Sequence, residues 1–467
     1  MRTGNTWIML LAVAVAVPCL ATNYYVAASG STPTEPWTNW AWAHTNLIEV
    51  VTRCRDGDTV YVTNNSTYYL TNQVSISYAI NLRSWKPDGG LDPDTTILDG
   101  NYPNTTNRHF FLNNYGAWLR GFTLTNGCFW STSTVMPWTG GGAVWLTRGH
   151  LTNCVISGNR NHHNYDGSAN GGGAIYLGGG SGRSGTVWNC RIIGNTSTNN
   201  GGGGVKVTYG GPWLMANCVL AQNDTTNAGG GGLNAYLPAD LELRDCQIAS
   251  NVSRAGGGGI VFTGGGRLVR CVINGNLVRL SGGGGAYLGH NTSVRNCSIH
   301  DNVCLASGSS IGGGLYFTSS SNGLVENCTV YGNAASYGGG IAFYTATGQV
   351  DNCVVWSNTA VISGSNYWIG TGATAYFTNC CTAPDPAAYG PNCFATNCLV
   401  ADPLFAGLAD GNVRLSPLSP CVNAGINRAW MAGDHDLDGF SRIDNFMRLV
   451  DMGAYEFYQH GTLFKVW

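Results

Sequence analysis

The chain has 467 residues, of which 10% are charged and 68 are glycine, and its formal net charge is −2. A typical domain has about 25% charged residues and about 7% glycine. With 11% aromatic residues and few lysines, this composition excludes an intrinsically disordered chain and a nucleic-acid-binding protein with a basic stripe.

Residues 1–21 have the pattern of a secretory signal peptide. Arg2 precedes an apolar run over residues 7–17, and small residues follow up to Ala21. The run is too short to span a bilayer, and we expect no transmembrane segment in the mature chain. The sequence therefore predicts export, to the medium or the cell surface. A lipid anchor at Cys19 is an alternative, which Pro18 disfavours.

Residues 22–58 are predicted to cap a solenoid, with a strand at Tyr24–Val26 and a short helix over residues 45–53. Such a cap covers the core and the strand edges that the first coil would otherwise expose. Residues 59–358 are predicted to be the solenoid itself, irregular at first and regular from residue 140.

The regular part repeats one pattern eight times. Each repeat begins with a glycine run and a short apolar strand, and it ends with a cysteine that is followed five residues later by an asparagine. The cysteines are Cys154, Cys190, Cys218, Cys246, Cys271, Cys297, Cys328 and Cys353; the asparagines are Asn159, Asn195, Asn223, Asn251, Asn276, Asn302, Asn333 and Asn358. The mean spacing of about 28 residues indicates a solenoid, because one unit cannot bury its apolar face alone.

The spacing within the repeat predicts its strands. Each cysteine shares one strand face with the aliphatic residue two positions later. An apolar residue also lies three positions before it, so a bend must intervene, at asparagines such as Asn153 and Asn189, which tolerate left-handed backbone. Three short strands per turn predict an all-β fold, a right-handed single-stranded parallel β-helix of about eleven coils.

Alternation along the glycine strand predicts two faces. Trp145 and Tyr176 are expected inside, with Val144 and Ile175 outside. The outward positions of later coils include Lys206, Asn234, Tyr287 and Tyr316.

Two sequence segments carry a family resemblance. Gly-Gly-Ala-Ile at 172–175 and apolar-x-x-Asn at 156–159 resemble the repeats of polymorphic outer-membrane proteins, with Ile156 where those repeats have phenylalanine. The wider resemblance is to exported proteins with the pectin-lyase-like β-helix fold. It implies the fold but no particular function, since that fold serves lyases, hydrolases and adhesins.

Residues 359–467 leave the repeat and are predicted to be an irregular C-terminal region. The segments 397–405, 415–425, 436–442 and 450–456 resemble the C-terminal region of exported β-helix proteins called choice-of-anchor Q. This resemblance implies export and surface display.

The cysteine ladder is expected to be reduced core, because free cysteine behaves as a small buried hydrophobe. Cys381 and Cys393 form the better disulfide candidate, since they flank a proline-rich loop.

A catalytic site would need ionisable groups on the outward face. Lys206 is the ionisable residue of the outward strand positions, and the insertion over 160–170 carries His162, His163 and Asp166, which could overhang it. These residues are the candidates for a polysaccharide lyase or glycoside hydrolase. The alternative is a solvated loop beside an exposed lysine.

Asp434, Asp436 and Asp438 alternate as in the first half of a calcium loop. The twelfth position is Asn445 instead of glutamate, so the alternative is a structural turn in which Asp436 or Asp438 pairs with Arg442. We expect no cofactor, and Ca²⁺ is the open alternative.

Aromatic residues on the outward face suggest binding. Tyr236, Tyr287, Tyr316 and Tyr344, with Asn234, would line a flat face on which sugar rings can stack. The alternative is that these residues only have good strand propensity. The sequence thus predicts non-catalytic display or adhesion with a polysaccharide or cell-surface glycan as partner, and an enzyme of the pectin-lyase-like fold as second reading; nucleic acid is not expected.

Overall fold

The computed structural model describes residues 21–29, 32–131, 140–163, 171–198, 201–306, 308, 310–318, 322–443 and 448–458. Residues 1–20, which contain most of the predicted signal peptide and Cys19, lie outside the described residues. Among the described residues, no helix has the length and apolar character needed to cross a membrane.

The predicted all-β solenoid is confirmed: three parallel sheets wind around one continuous core. Sheet A contains the strands Asn23–Val26, Thr59–Thr63, Val74–Ile76, Asn81–Trp85, Phe110–Arg120, Val144–Thr152, Ile175–Leu177, Ser184–Trp188, Val205–Ala216, Leu233–Arg244, Ile260–Phe262, Gly266–Val269, Ala286–Leu288, Thr292–Arg295, Leu315–Phe317, Asn322–Glu326, Ile341–Phe343, Thr347–Asp351, Tyr367–Ile369, Thr374–Thr378 and Cys393–Thr396. Sheet B contains Ser66–Tyr69, Thr96–Asp99, Thr123–Thr125, Val155–Ser157, Arg191–Ile193, Val219–Ala221, Gln247–Ala249, Val272–Asn274, Ser298–His300, Thr329–Tyr331, Val354–Trp356 and Cys381–Thr382. Sheet C contains Cys128–Ser131, Arg160–His163, Thr196–Ser197, Asp224–Thr225, Val252–Ser253, Leu277–Val278, Val303–Cys304, Ala334–Tyr337 and Thr359–Ser363.

The α-helix Leu47–Arg53 lies near the start of the chain. The side chain of Asn46 accepts hydrogen bonds from the backbone N–H groups of Ile48 and Glu49, which caps its first turn. The apolar side of this helix joins the core of the first coils. Short 3-10 helices span Trp40–Trp42, Pro386–Ala388, Leu408–Asp410 and Ala429–Met431.

The turn from sheet A to sheet B is held in left-handed backbone. The turn residues Asn153, Asn189, Asn217, Asn296, Asn327 and Asn352 have φ between 47° and 53°. Asparagine tolerates this region better than most residues. The spacing of three between the two apolar positions is therefore a corner of the coil.

Buried asparagines mark the next corner, between sheet B and sheet C. The eight asparagines of the repeat are at most 5% exposed. In Asn251, Oδ1 accepts from the backbone N–H and the side-chain amide of Asn223, while Nδ2 donates to Leu220 O at 2.8 Å and to Asn276 Oδ1 at 3.0 Å. Each amide thus links its own coil to the coils on both sides.

The cysteines of the repeat form a second ladder in the core. They are at most 2% exposed, and none of the cysteines in the described residues is bridged. Cys246 Sγ lies 3.5 Å from Met215 O and 3.2 Å from Arg244 O. Each thiol therefore satisfies its weak donor on backbone carbonyls.

The glycine run is required by the close stacking of coils. Gly172 has φ +75°, and a Cβ built on it would lie 2.1 Å from Ile175 O. Only a residue without a side chain fits this turn.

The predicted faces of the first two regular coils are wrong. Val144 pairs with Ile175, and Ile175 pairs with Val205; all three side chains are fully buried and point inward. Trp145 and Tyr176 are in register with Lys206 and therefore face outward. A period of two is compatible with either face of the strand pointing inward. In the structure the aliphatic residues fill the interior, and the larger aromatic rings pack on the outside of the sheet.

Parallel pairing continues beyond residue 358, as far as Cys393–Thr396. The chain then forms the antiparallel pair Phe405–Gly407 and Asn412–Leu415. Residues 405–443 and 448–458, here called the C-terminal module, pack along the asparagine corners of sheet A. The amides of Asn296, Asn327, Asn352 and Asn379 donate to module carbonyls at 2.9 to 3.1 Å.

Candidate functional site

One row of side chains runs along the outside of sheet A, at the strands that follow the glycine turns. Register places one residue of each coil in this outer row: Trp145, Tyr176, Lys206, Asn234, Val261, Tyr287, Tyr316, Ala342 and Trp368. The coils of its first four residues form the closed half of the row. The coils of its last four residues form the aromatic half, and Val261 lies between the two halves.

The closed half contains an enclosed lysine. Lys206 is 2% exposed; its Nζ donates to Asn234 Oδ1 at 2.8 Å and lies 5.2 Å from the ring centroid of Tyr236. Burial lowers the pKa of Lys206 to about 7. The sequence-based expectation of an exposed lysine is therefore wrong.

A second buried cation, Arg108, contacts Trp145 at the start of the closed half, and the sequence reasoning missed it. Arg108 Nη1 donates to Gly140 O at 2.6 Å, and the guanidinium lies over the rings of Phe129 and Trp145 at 4.0 and 5.1 Å. Burial lowers the pKa of Arg108 to about 9. Tyr176 is fully buried and its hydroxyl bonds to Thr208 Oγ1 at 2.6 Å. No repeat motif in the sequence points to Arg108, because it lies before the regular repeat begins at residue 140.

The aromatic half contains a continuous chain of rings. Tyr287 and Tyr316 meet edge to face with centroids 5.2 Å apart. Tyr344, in the neighbouring outward row, follows Tyr316 at 6.5 Å. Trp368 lies 6.4 Å beyond Tyr344, with the two ring planes 12° from parallel. These rings extend over four successive coils.

The rings differ in access to solvent. Tyr344 is 43% exposed, Tyr287 and Trp368 are half-buried, and Tyr316 is 8% exposed. Tyr337 supports Trp368 at a centroid distance of 5.3 Å. Trp368 and Tyr337 were missed by the sequence reasoning, although the position of Trp368 directly after the inward Tyr367 is a detectable signal.

The predicted binding residues thus divide into two groups. Tyr287, Tyr316 and Tyr344 lie together in the aromatic half. Asn234 is buried in the closed half, where its Nδ2 donates to Gly229 O at 3.0 Å. Tyr236 also belongs to the closed half, through its contact with Lys206.

The predicted catalytic residues are spread over two sheets. His162 lies in the sheet C strand Arg160–His163, and its ring contacts Trp130 at 4.8 Å. Lys206 lies in sheet A. The side chain of His163 and all of Asp166 lie outside the described residues.

Glu326 and Asp351 are neighbours in register on sheet A, and both carboxylates form ion pairs with arginine. Glu326 pairs with Arg295 and accepts from Trp430 Nε1 at 3.2 Å, whereas Asp351 pairs with Arg428 at 2.6 Å. The C-terminal module therefore uses these two carboxylates as docking points.

The three predicted calcium ligands each have protein partners. Asp434 pairs with Arg270 at 2.5 Å, and Asp438 receives two hydrogen bonds from Arg414. Asp436 accepts from the N–H groups of Asp438, Phe440 and Glu456 at 2.7 to 2.9 Å. Arg442 instead pairs with Glu456 at 3.1 Å. Within the described ranges, no group of three or more His, Cys, Asp or Glu residues could hold a metal ion; the calcium hypothesis stays a prediction.

Three stacked parallel sheets, glycine and asparagine corners and an outward row of side chains define a parallel β-helix protein. A model of the family described as right handed beta helix region matches residues 121–299 and 251–383, which together are more than half of the chain. The chain belongs to this family, and the predicted right-handed winding is confirmed.

Among solved structures, pectate lyase Pel9A aligns with the chain at a TM-score of 0.46 and 15% identity, covering 93% of this chain and 96% of that one. A rhamnogalacturonan lyase aligns at a TM-score of 0.32 and 14% identity, covering 92% and 97%. None of the curated proteins matches the chain.

Proposed function

We propose that this chain is an exported protein that binds a polysaccharide or cell-surface glycan along the aromatic half of the outer row, as a display or adhesion protein without turnover. The observation that carries the proposal is the chain of rings from Tyr287 to Trp368, with centroid distances of 5.2, 6.5 and 6.4 Å. Export rests on the signal pattern of residues 1–21.

The chemistry of these rings favours a sugar ligand. The C–H faces of a pyranose stack on aromatic rings, and tyrosine adds a hydroxyl that can hydrogen-bond. Coils stack at about 4.8 Å, so successive rings offer one contact after another to an extended polymer. Because the rings carry no charge, they favour a neutral sugar face.

The test is affinity electrophoresis of the folded chain against a panel of neutral and uronate polysaccharides. Tyr344→Ala and Trp368→Ala should each weaken binding about 5- to 150-fold, the loss expected for about 1–3 kcal/mol of aromatic stacking. The matched control is Tyr376→Ala. This residue lies on the same sheet, stacks on Phe394 at 5.1 Å and is 45% exposed, against 43% for Tyr344.

Affinity that falls equally with Tyr376→Ala would contradict the proposed location. If the chain migrates like a non-binding protein in gels that contain each polysaccharide of the panel, glycan binding itself is contradicted.

A second candidate function is polysaccharide lyase or glycoside hydrolase activity, and Lys206 favours it. An amine whose pKa is about 7 is about half deprotonated at neutral pH and can then accept a proton, as a general base must. The enclosure of Lys206 at 2% exposure is the reason that we place catalysis second.

Two assays distinguish the functions. Lyase action produces an unsaturated sugar that absorbs in the ultraviolet, and hydrolysis releases reducing ends. The binding proposal expects neither signal and expects Lys206→Met to keep glycan affinity. A signal that rises with pH through about 7 and falls by orders of magnitude in Lys206→Met would establish the catalytic reading.

A further inference from the structure

Positive and negative charges are distributed unevenly along the solenoid. Residues 100–223 contain seven lysine and arginine residues but one acidic residue, Asp166, so their formal net charge is +6. Because the whole chain has a formal net charge of −2, the remaining residues together carry −8. Asp166 lies outside the described residues. Such an asymmetry makes the coils of this stretch the part of the chain that attracts anions.

Four partly exposed arginines lie on the outside of sheet A in the first coils. We call them the basic patch: Arg83, Arg120, Arg148 and Arg183. Arg83 and Arg120 are neighbours in register on adjacent coils. Arg148 is in register with Ser184, the residue directly after Arg183. The patch therefore extends over four successive coils, beside the outer row but without sharing a residue with it.

Aromatic rings hold two arginines of the patch in place. The Arg120 guanidinium lies over Trp118 at 4.5 Å from the ring centroid, and that of Arg148 lies over Tyr115 at 5.0 Å. The imidazole of His150 also stacks on Trp118, with the ring centroids 4.1 Å apart. These contacts fix the planes of the guanidinium groups and leave their N–H edges to meet a ligand.

The arginines of the patch have no carboxylate partners. Among the described residues, none of the ion pairs includes an arginine of the patch. The register row that begins with Arg83 and Arg120 continues into later coils. There Arg295 pairs with Glu326 of the next coil. The same row is thus neutralised in the later coils but not in the first ones.

Neighbouring like charges in the patch repel each other. Arg83 and Arg120 face each other across adjacent strands, where like charges are destabilising. Burial and the positive charge of Arg83 lower the pKa of Arg120. An anion bound beside the two guanidinium groups would relieve this repulsion.

The patch also has unused hydrogen-bond donors. A guanidinium group carries five N–H donors. Arg120 and Arg148 donate none of theirs to another described residue. Arg183 donates one hydrogen bond to a side chain, to Asn113 Oδ1 at 3.1 Å. Carboxylate and sulfate oxygens are acceptors that match such donors in pairs.

We propose that the basic patch binds an acidic polysaccharide through the carboxylate or sulfate groups of its sugars. Arginine forks bind such groups with two parallel hydrogen bonds. Coils stack at about 4.8 Å, so a polymer that runs across four coils meets one arginine after another. The patch shares no residue with the aromatic half, and the inference does not rest on glycan binding there.

The rings of the patch favour a polysaccharide over a single-stranded nucleic acid. Sites for single strands combine cations with aromatic faces on which the bases stack. In the patch, Trp118 and Tyr115 already have an arginine over the ring. A ligand can therefore gain ion pairs and hydrogen bonds here but little stacking.

The test is affinity electrophoresis of the full chain in gels that contain dextran sulfate, polygalacturonate or uncharged dextran. We expect the two acidic polymers to retard the chain, and we expect added salt to weaken the retardation because it screens ion pairs. The acidic polymer that retards the chain more strongly identifies sulfate or carboxylate as the preferred group. Uncharged dextran reports on the aromatic half alone.

The double variant Arg120→Gln/Arg148→Gln should weaken binding of both acidic polymers about tenfold or more, because it removes two charged donors. The matched control Arg191→Gln/Arg254→Gln removes two exposed arginines outside the patch and should change the affinity less than about twofold. If the melting temperature shows that the first variant does not fold, Arg183→Gln makes the same comparison with a smaller change to the packing, and it should weaken binding severalfold.

Three results would overturn the inference. The first is the absence of retardation by both acidic polymers. The second is a loss of affinity that is equal in the patch variant and the control, or that follows Tyr344→Ala instead of the patch variant. The third is tighter binding of a single-stranded DNA than of either acidic polymer, which would make a nucleic acid the partner.

Discussion

The regular coils and the C-terminal module stabilise their buried polar groups in opposite ways. In the coils, neutral asparagine amides bond to their equivalents in the next coil, as Asn223 does to Asn251 and Asn251 to Asn276. In the module, the buried polar groups are ionisable: Arg442 is fully buried, and its Nη1 lies 3.1 Å from Glu456 Oε1.

This difference shows what repetition provides. A repeated amide such as that of Asn251 accepts from the coil before it and donates to the coils on both sides, so every added coil satisfies the one before it without any charge. The module has no repeat to extend and closes its polar groups with ion pairs, which carry a desolvation cost. We therefore expect the coils to be insensitive to pH and the module to respond to it.

The largest expected effect is in the coils. Asn251→Leu removes the acceptor of two Asn223 donors and the donor to Leu220 O. Each buried polar group that is left without a hydrogen-bond partner costs about 1–3 kcal/mol. The free energy of unfolding should therefore fall by an amount on the order of 4 kcal/mol. Denaturant unfolding measures it, with the exposed Asn322→Leu as the control that should change little. A loss below about 1 kcal/mol would show that the ladder is not what joins the coils.

The second effect concerns the module and pH. Burial raises the pKa of Glu456 to about 8, against the opposing charge of Arg442. In the folded module Glu456 keeps its proton up to about pH 8, whereas in the unfolded chain it releases the proton near pH 4. The stability of the module is therefore highest below about pH 4 and falls as the pH rises to about 8. The melting temperature of the module should fall by several degrees between pH 5 and pH 9.

Glu456→Gln should reduce this pH dependence, because the neutral amide cannot titrate. The matched control Asp410→Asn removes an exposed carboxyl group of the same module and should leave the dependence unchanged. Equal slopes in wild type and Glu456→Gln would place the pH response elsewhere.

The smallest effect is again in the coils. Cys246→Ala removes one sulfur from a packed ladder and should cost about 1 kcal/mol, with a small cavity as the physical reason. Ile248→Ala, on the same face of the same coil, should cost about 2–5 kcal/mol. If the cysteine change is as costly as the isoleucine change, the thiols contribute more than volume.

The coils could be predicted because their information is local. Cys154 and Asn159 recur at fixed offsets, and an offset of three between apolar positions can only be a corner. The face of the glycine strand could not be fixed in the same way. Val144 and Trp145 are both apolar, so alternation alone did not decide which one enters the core.

The candidate site was only partly predictable. Tyr287, Tyr316 and Tyr344 follow from the register, but Trp368 lies beyond Cys353, where the next cysteine, Cys380, is followed five residues later by Asp385 instead of asparagine. The enclosure of Lys206 depends on neighbours in other coils. The module contacts, such as Arg270 with Asp434, join residues far apart in sequence that no pattern connects.

The asparagine corners of neighbouring coils make the same hydrogen bonds, and this sameness has an evolutionary consequence. The amide of Asn195 contacts Asn159 before it and Asn223 after it through the same atoms that join Asn223 to Asn251 and Asn251 to Asn276. Duplication or loss of one whole coil would therefore leave equivalent contacts at the new junction and move the outer row by one step. The gene can change the length and order of its surface residues by unequal recombination between repeats, while the interior stays chemically the same.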